Sequence, residues 1–395
     1  MPDPLVVVVG AGPVGLTCAA LLGRAGVPVR VLEAEPVRSR ELRASTWHPP
    51  TLDLLDGLGF AAPLVAAGLV TPTWQVRLHP SGERAVFDLG VLAGDTAHPY
   101  RLQCEQQVYC ELVEAALPPG VVVRDATVTG LSQDDSGVTL AVLGAGAAPV
   151  PLRAAWVIGA DGGRSAVRAA VGLELDGSTY PETTILATTD FPFEQHLAGL
   201  SNVNYCWTDA GTFSLLRLPR CWRVSLYPDD GESVEAALAP AAVAAKLDRI
   251  APGAAAAGAL EVRPYRIHRR LVADYRRGRV LLAGDAAHLN SPSGGMGMNG
   301  GLHDAFSLCA ELVAVIGGAD PALLDRYTRR RRPVAAEEIL AQADQNRARM
   351  QERDPARRRQ ALADLQAIAA DPGRAREYLL RSSMLTGLRR AATIA

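Results

Sequence analysis

With 395 residues, 48% of them hydrophobic, the chain can bury a large core and divide into two domains. A formal net charge of −2 argues against a polyanionic partner, and the one basic stretch is local. From Arg326 onward 16 Arg stand against 8 Asp or Glu, leaving that stretch about +8 and the remainder about −10, so nucleic acid is not expected and the tail reads as a helical segment lying on the acidic body or on a second copy, which leaves monomer or homodimer open.

In chain order, the apolar run 5–9 has no basic residues before it and glycines directly after it, so it reads as a strand and not as a secretion signal. Its β-branched residues suit a central parallel strand covered on both faces. Gly10, Gly12, Pro13 and Gly15 then open a helix to about residue 25, and a second strand over 29–32 ends at Glu33 and Ala34. This order, with an acid about 20 residues on, is a dinucleotide fingerprint. The glycines allow the tight turn, the approach of a pyrophosphate and close helix packing, while the acid receives ribose hydroxyls. The spacing does not distinguish NAD from FAD.

Residues 39–48 carry Arg43, Ser45, Thr46 and His48 ahead of a helix over 50–58, with Pro50 at its start. A lone histidine is commonly a hydrogen-bonded structural group, so His48 either faces a ligand or only packs. Residues 70–100 read as strands at 74–78 and 85–88, punctuated by Pro72, Pro80 and Gly82, an excursion from the first domain. Gln103 precedes a helix to residue 117; strands at 121–123, 126–131 and 137–143 follow, the last two a hairpin of a β-meander. An apolar strand from Trp156 ends in Asp161, Gly162 and Gly163, and the next helix carries Arg164 and Arg168 one turn apart on one face.

From 175 to 274 the pattern changes to strands (182–189, 202–208, 212–218, 222–227), a helix over 240–250 and a last strand into 266, an antiparallel second domain. Alternation turns one strand face inward, which makes Tyr205, Trp207, Ser214, Arg217 and Tyr227 candidates for lining a substrate pocket. A buried strand over 279–283 then leads through Gly284, Asp285 and Pro292 to a glycine-rich loop (Gly294, Gly295, Gly297) and a helix from about residue 300. Glycines bring backbone close to a ligand, and the free N–H groups of the helix start, with Met298 and Asn299, favour an anion. Helices over 302–315 and 321–350 and some shorter ones complete the chain. The six cysteines show neither CxxC nor Cys/His ligand spacing, which points to free thiols in a reducing, cytoplasmic compartment and to no metal. No run of about 18 apolar residues suggests a membrane span.

The Gly10–Gly15 turn, the Asp161-Gly162 turn and the Gly284-Asp285 to Asn299 segment closely resemble, in the same order, the three motifs of class A FAD-dependent aromatic hydroxylases, the para-hydroxybenzoate hydroxylase-like flavoprotein monooxygenases. The resemblance covers about residues 1–330. It implies an α/β fold with a Rossmann-like, glutathione-reductase-type FAD domain and β-meander (1–71, 101–174, 275–320), an antiparallel-sheet substrate domain (72–100, 175–274) and a helical C-terminal segment (321–395). By resemblance, Arg43, Ser45, Thr46 and Gln103 contact the FAD, Asp161, Gly162 and Arg164 serve FAD and nucleotide binding, and Asp285 holds the ribityl chain. Gly295, Gly297, Met298 and Asn299 sit at the flavin, and Pro292 lies beside the reacting oxygen. Where many relatives have an arginine before Thr51-Leu52 this chain has Pro50, and Met296 replaces a loop lysine. The implied activity is single-component: NADH or NADPH reduces FAD transiently, O2 gives a flavin C4a-hydroperoxide, and an electron-rich aromatic small molecule is hydroxylated. Pro292 and His48 are the catalytic candidates. A flavin epoxidase or N-hydroxylase is the alternative; a flavin halogenase would need an early lysine and a WxWxIP segment, whereas Lys246 is the sole lysine.

Overall fold

Four consecutive valines, Val6–Val9, are buried on both faces of a six-stranded sheet. In the computed structural model, which describes residues 4–395 apart from 40, 42, 147 and 210, the order is Arg276–Arg277, Val280–Leu282, Trp156–Gly159, Val6–Val9, Val29–Leu32, Val122–Val123. All neighbours run parallel except the first pair. Helices Pro13–Arg24 and Gly297–Ile316 pack against one another beside this sheet. Strands Thr127–Asp134, Gly137–Leu143 and Val150–Ala154 form the meander.

The second sheet has eight strands: His288–Leu289, Glu261–Val272, Leu175–Thr189, Trp222–Leu226, Gly211–Arg217, Val203–Thr208, Thr73–Leu78, Arg84–Asp88. It is not wholly antiparallel, because Val203–Thr208 pairs parallel with Thr73–Leu78, the strand supplied by the earlier excursion. Two strands also outrun their expected lengths; Leu175–Thr189 and Glu261–Val272 pair along nearly their whole course. The glycine-loop helix begins at Gly297, one turn earlier than its first apolar residues suggested.

Period-2 alternation decides what each face of this sheet covers. Ile185, Ala187, Cys206, Phe213, Leu215, Trp222 and Val224 lie under helix Pro240–Ile250. On the other face Trp74, Phe87, Val203 and Trp207 are covered by Leu362, Leu365, Leu379 and Leu385 of helices Pro355–Ala369, Pro372–Ser382 and Leu385–Thr393. The basic tail thus lies on its own body: Arg376 and Arg389 share Asp95 at 2.7 and 2.9 Å, and Arg326 and Arg330 share Glu311. Among the described residues no helix is long and apolar enough to cross a membrane.

Candidate active site

The first glycines are constrained by different things. A Cβ on Gly15 would stand 2.0 Å from the Gly10 carbonyl oxygen, and Gly10 itself has φ +103°. Gly12, directly ahead of Pro13 at the helix start, would meet nothing within 4 Å, and no side chain caps that helix. Its first N–H groups thus have no side-chain partner and the turn has room beside Gly12, which suits a pyrophosphate. Glu33 accepts the Ala11 N–H at 2.7 Å and the Glu35 N–H at 3.0 Å, so its carboxylate is pinned at the mouth of this turn, with Ala34 exposed beside it.

Beyond it, Thr46 and His48 are stitched to the glycine-rich loop. Asn299 donates to the carbonyls of Thr46 and Gly295 at 2.8 and 2.7 Å and accepts the His48 N–H at 2.9 Å. Gly295, at φ +67°, lets the loop approach Thr46, where a Cβ would come within 2.9 Å of the threonine Cβ. Thr46 donates to Gln103 Oε1 at 3.0 Å, while Gln103 Nε2 is buried with no partner. Ser45 is buried, and Arg223 donates to its hydroxyl and to the Arg43 carbonyl. Met298 and Gly297 sit in the first turn of the helix, and the Pro292 carbonyl accepts the Gly295 N–H at 3.0 Å, closing a turn.

His48 is fully buried at the start of helix Pro49–Asp56, with Nε2 on the Gly294 carbonyl at 2.8 Å. A carbonyl only accepts, so Nε2 carries the proton and Nδ1 is the bare, buried nitrogen. Burial, with help from Arg101, pushes this imidazole down to about 3. Taking a proton from an ordinary phenol, near 10, would then be uphill by roughly 9 kcal/mol. Of the two readings left open for His48, burial and the bond to Gly294 favour packing over a catalytic role: it ties the loop in place.

Asp285 is exposed yet crowded by protein atoms, an acid in a recess, and makes no side-chain hydrogen bond among the described residues. Desolvation raises its carboxyl above the usual range, with His288 and Arg43 opposing. The Gly284 N–H beside it is held at 3.2 Å by Asp304, which also binds His288 at 2.8 Å and Arg331 at 2.7 Å, a sealed network joining the tail to this turn. Asp161 spends both oxygens on its own helix start, accepting from Ser165 Oγ at 2.6 Å and Val167 N at 3.1 Å, with Gly162 at φ +78° making the turn. Arg168 donates to the carbonyls of Gly163 and Ala286, locking this turn to the Asp285 turn, whereas Arg164 is exposed. Arg168 is thereby a structural tie between the two turns. The open space at Gly12, the partnerless Asp285 and the orphaned Gln103 amide together fit FAD.

Ser293 and Gly294 of the same loop wall a hollow of about 420 Å³, a figure that includes its open mouth. Tyr205 lines it, while Ser214 and Tyr227 share the sheet face of Tyr205 without reaching the hollow. Trp207 is sealed beneath the tail, its indole N–H on the Arg349 carbonyl at 3.0 Å. Arg217 is on the opposite face, its guanidinium 5.4 Å from the Trp222 ring and paired with Glu194, so that pocket assignment fails on strand parity. The sequence reading missed Arg101, Trp74, Arg349 and Tyr378, all of which line the hollow.

Known proteins match this arrangement along its length. A profile of the FAD binding domain family matches residues 4–342. Para-nitrophenol 4-monooxygenase of Pseudomonas sp. (strain WBC-3) is 38% identical, over 97% of this chain and 96% of that protein. The crystal structure of p-nitrophenol 4-monooxygenase from Pseudomonas putida DLL-E4 superposes with TM-score 0.90 at 36% identity, covering 98% of both chains. The anhydrotetracycline hydroxylase from Streptomyces rimosus superposes at 0.78 with 30% identity, covering 97% of this chain but 76% of that one. With the profile spanning most of its length and such a relative matching it almost end to end, the chain belongs to the FAD binding domain family, among its class A aromatic hydroxylases.

Proposed function

We propose that the protein is a single-component FAD monooxygenase that hydroxylates a monocyclic phenol, with NADH or NADPH as transient reductant. The carrying observation is the hollow that Ser293 and Gly294 share with aromatic side chains and that the C-terminal helices close. When bound, FAD accepts reducing equivalents from the nicotinamide and activates O2 for transfer to an electron-rich ring. The chain's residues bind, orient and keep water out. In this reading Gly12 and the helix behind it receive the pyrophosphate, Glu33 the ribose, and Gln103 Nε2 and Asp285 the ribityl hydroxyls. The Gly297–Asn299 helix start favours negative charge on the flavin ring. Arg164, exposed at the Asp161 turn, is the cation left for a passing nucleotide.

The small substrate is supported by end-to-end similarity to enzymes named for a nitrophenol. The test is turnover of a panel of monocyclic phenols under labelled O2, scored by stimulated NAD(P)H consumption and by product mass. One labelled oxygen per product is expected. Consumption that yields only hydrogen peroxide with every phenol, while a polycyclic aromatic takes up the label, would overturn the substrate reading.

A further inference from the structure

Arg101 is 3% exposed, and its Nε and Nη1 have no hydrogen-bond partner among the described residues. Among the described residues no carboxylate lies within ion-pair distance of it; its guanidinium sits 5.0 Å over the Trp74 ring, at the wall of the hollow beside Gly294. A buried cation without a counter-charge is costly, and proteins keep one where something else supplies the anion. Burial lowers the Arg101 pKa, with the Tyr205 and Tyr378 hydroxyls partly opposing, and an arginine stays charged even so.

The rest of the lining agrees in sign. The other charged wall residue is Arg349, whose guanidinium donates to the Tyr378 hydroxyl at 3.2 Å, and no Asp or Glu is among the lining residues. Adjacent His48 stays neutral and adds no competing charge. Two more lining groups are orphaned and buried, the Trp74 indole N–H and the Ser382 hydroxyl. Unpaired donors thus belong to residues that line the hollow, whose walls also carry the rings of Trp74, Tyr205 and Tyr378.

Building on the proposed function, we infer that Arg101 is the residue that selects substrate charge: the ring is taken as an anion, with an anionic oxygen, phenolate or ring carboxylate, seated on the Arg101 guanidinium. The fork of N–H groups suits a two-oxygen acceptor, and its removal leaves an apolar slot that favours neutral rings.

The test uses the FAD-loaded protein and reads binding from the change in flavin absorbance. Two matched pairs separate the sources of charge: 4-nitrophenol at a pH where it is ionised, against 4-nitroanisole, and 4-hydroxybenzoate against its methyl ester. The wild type is expected to prefer the anionic member of at least one pair by about tenfold or more, the scale of a charge-assisted hydrogen bond. Arg101→Met should bring that ratio to within about twofold, and Arg101→Lys should restore part of it. Should Arg101→Met not retain flavin, Arg101→Gln carries the same comparison. A preference that survives the loss of Arg101, or an equal loss of affinity for both members of a pair, would overturn the assignment. Oxygen transfer is scored separately: an Arg101-dependent preference without labelled product defeats only the monooxygenase reading, and labelled product with no Arg101-dependent preference defeats only this one.

Discussion

Acidification from pH 7 to pH 5 should destabilise the flavin-free fold through two sealed imidazoles. His48 and His303 are both pushed down to about 3, first by burial and then by Arg101 and Arg331 respectively. In the unfolded chain each takes a proton near 6.5, so between about pH 6.5 and 3 the unfolded state binds more protons than the folded one. Their contribution is complete above pH 6.5 and is lost as pH falls. At pH 5 that is 1.5 units for each histidine, about 2 kcal/mol, or about 4 kcal/mol for the pair, against a typical total of 5–15 kcal/mol. Asp285 works the other way, because a carboxyl raised in the folded state gains stability as pH falls through its folded pKa. Urea midpoints at pH 7, 6 and 5 for wild type, His48→Asn, His303→Asn and the double variant measure the effect. Each single variant should remove about half of the acid-dependent loss, and the double variant most of it. A double variant whose midpoint falls as steeply as the wild type's would refute the reasoning.

The glycine turn offers a sharp contrast: Gly12→Ala should leave the flavin-free urea midpoint unchanged yet weaken FAD at least about tenfold, whereas Gly15→Ala, aimed at a backbone oxygen 2.0 Å away, should not fold stably. Normal FAD retention by Gly12→Ala after gel filtration would remove the cradle assignment. Asp285→Asn should raise the FAD dissociation constant about ten- to hundredfold, since a charge-assisted hydrogen bond contributes about 1.5–3 kcal/mol, with flavin fluorescence as the readout; an unchanged constant would contradict a ribityl contact. Arg168→Ala, losing its two carbonyl bonds, should lower the melting temperature, while Arg164→Ala should raise the NAD(P)H KM severalfold with FAD content intact. The reverse pattern would exchange the two roles.

Sequence reached furthest where one residue's job depends only on near neighbours. Gly10, Gly15 and Glu33 lie within one strand–turn–helix–strand unit, so their spacing alone brings the Glu33 carboxylate to the Ala11 N–H. It failed where a role depends on pairing between distant strands. Ser214 and Arg217 are three apart on one strand, an odd number, so parity already forbade both from facing one pocket. Arg101 was missed although it shares the β face of Gln103, two residues along the same strand, because a lone arginine in a sequence does not reveal that its counter-charge is missing. Nor could composition show that the basic tail would supply Arg349 and Tyr378 to the hollow as well as pair with Asp95.

That hollow is assembled from far-apart stretches of chain: Trp74 and Arg101 at one wall, Asn346 to Ser382 at another. During synthesis, roughly 5–20 residues are added per second, so the wall at Ser382 emerges roughly 15–60 s after the one at Arg101. For that interval the rings of Trp74 and Phe87 have none of the leucines that later cover them, while every residue of the first dinucleotide unit is already made. The ribosome therefore delivers the pyrophosphate turn long before the substrate chamber, and chaperone demand should concentrate on the strands Thr73–Leu78 and Arg84–Asp88 until the last helices arrive.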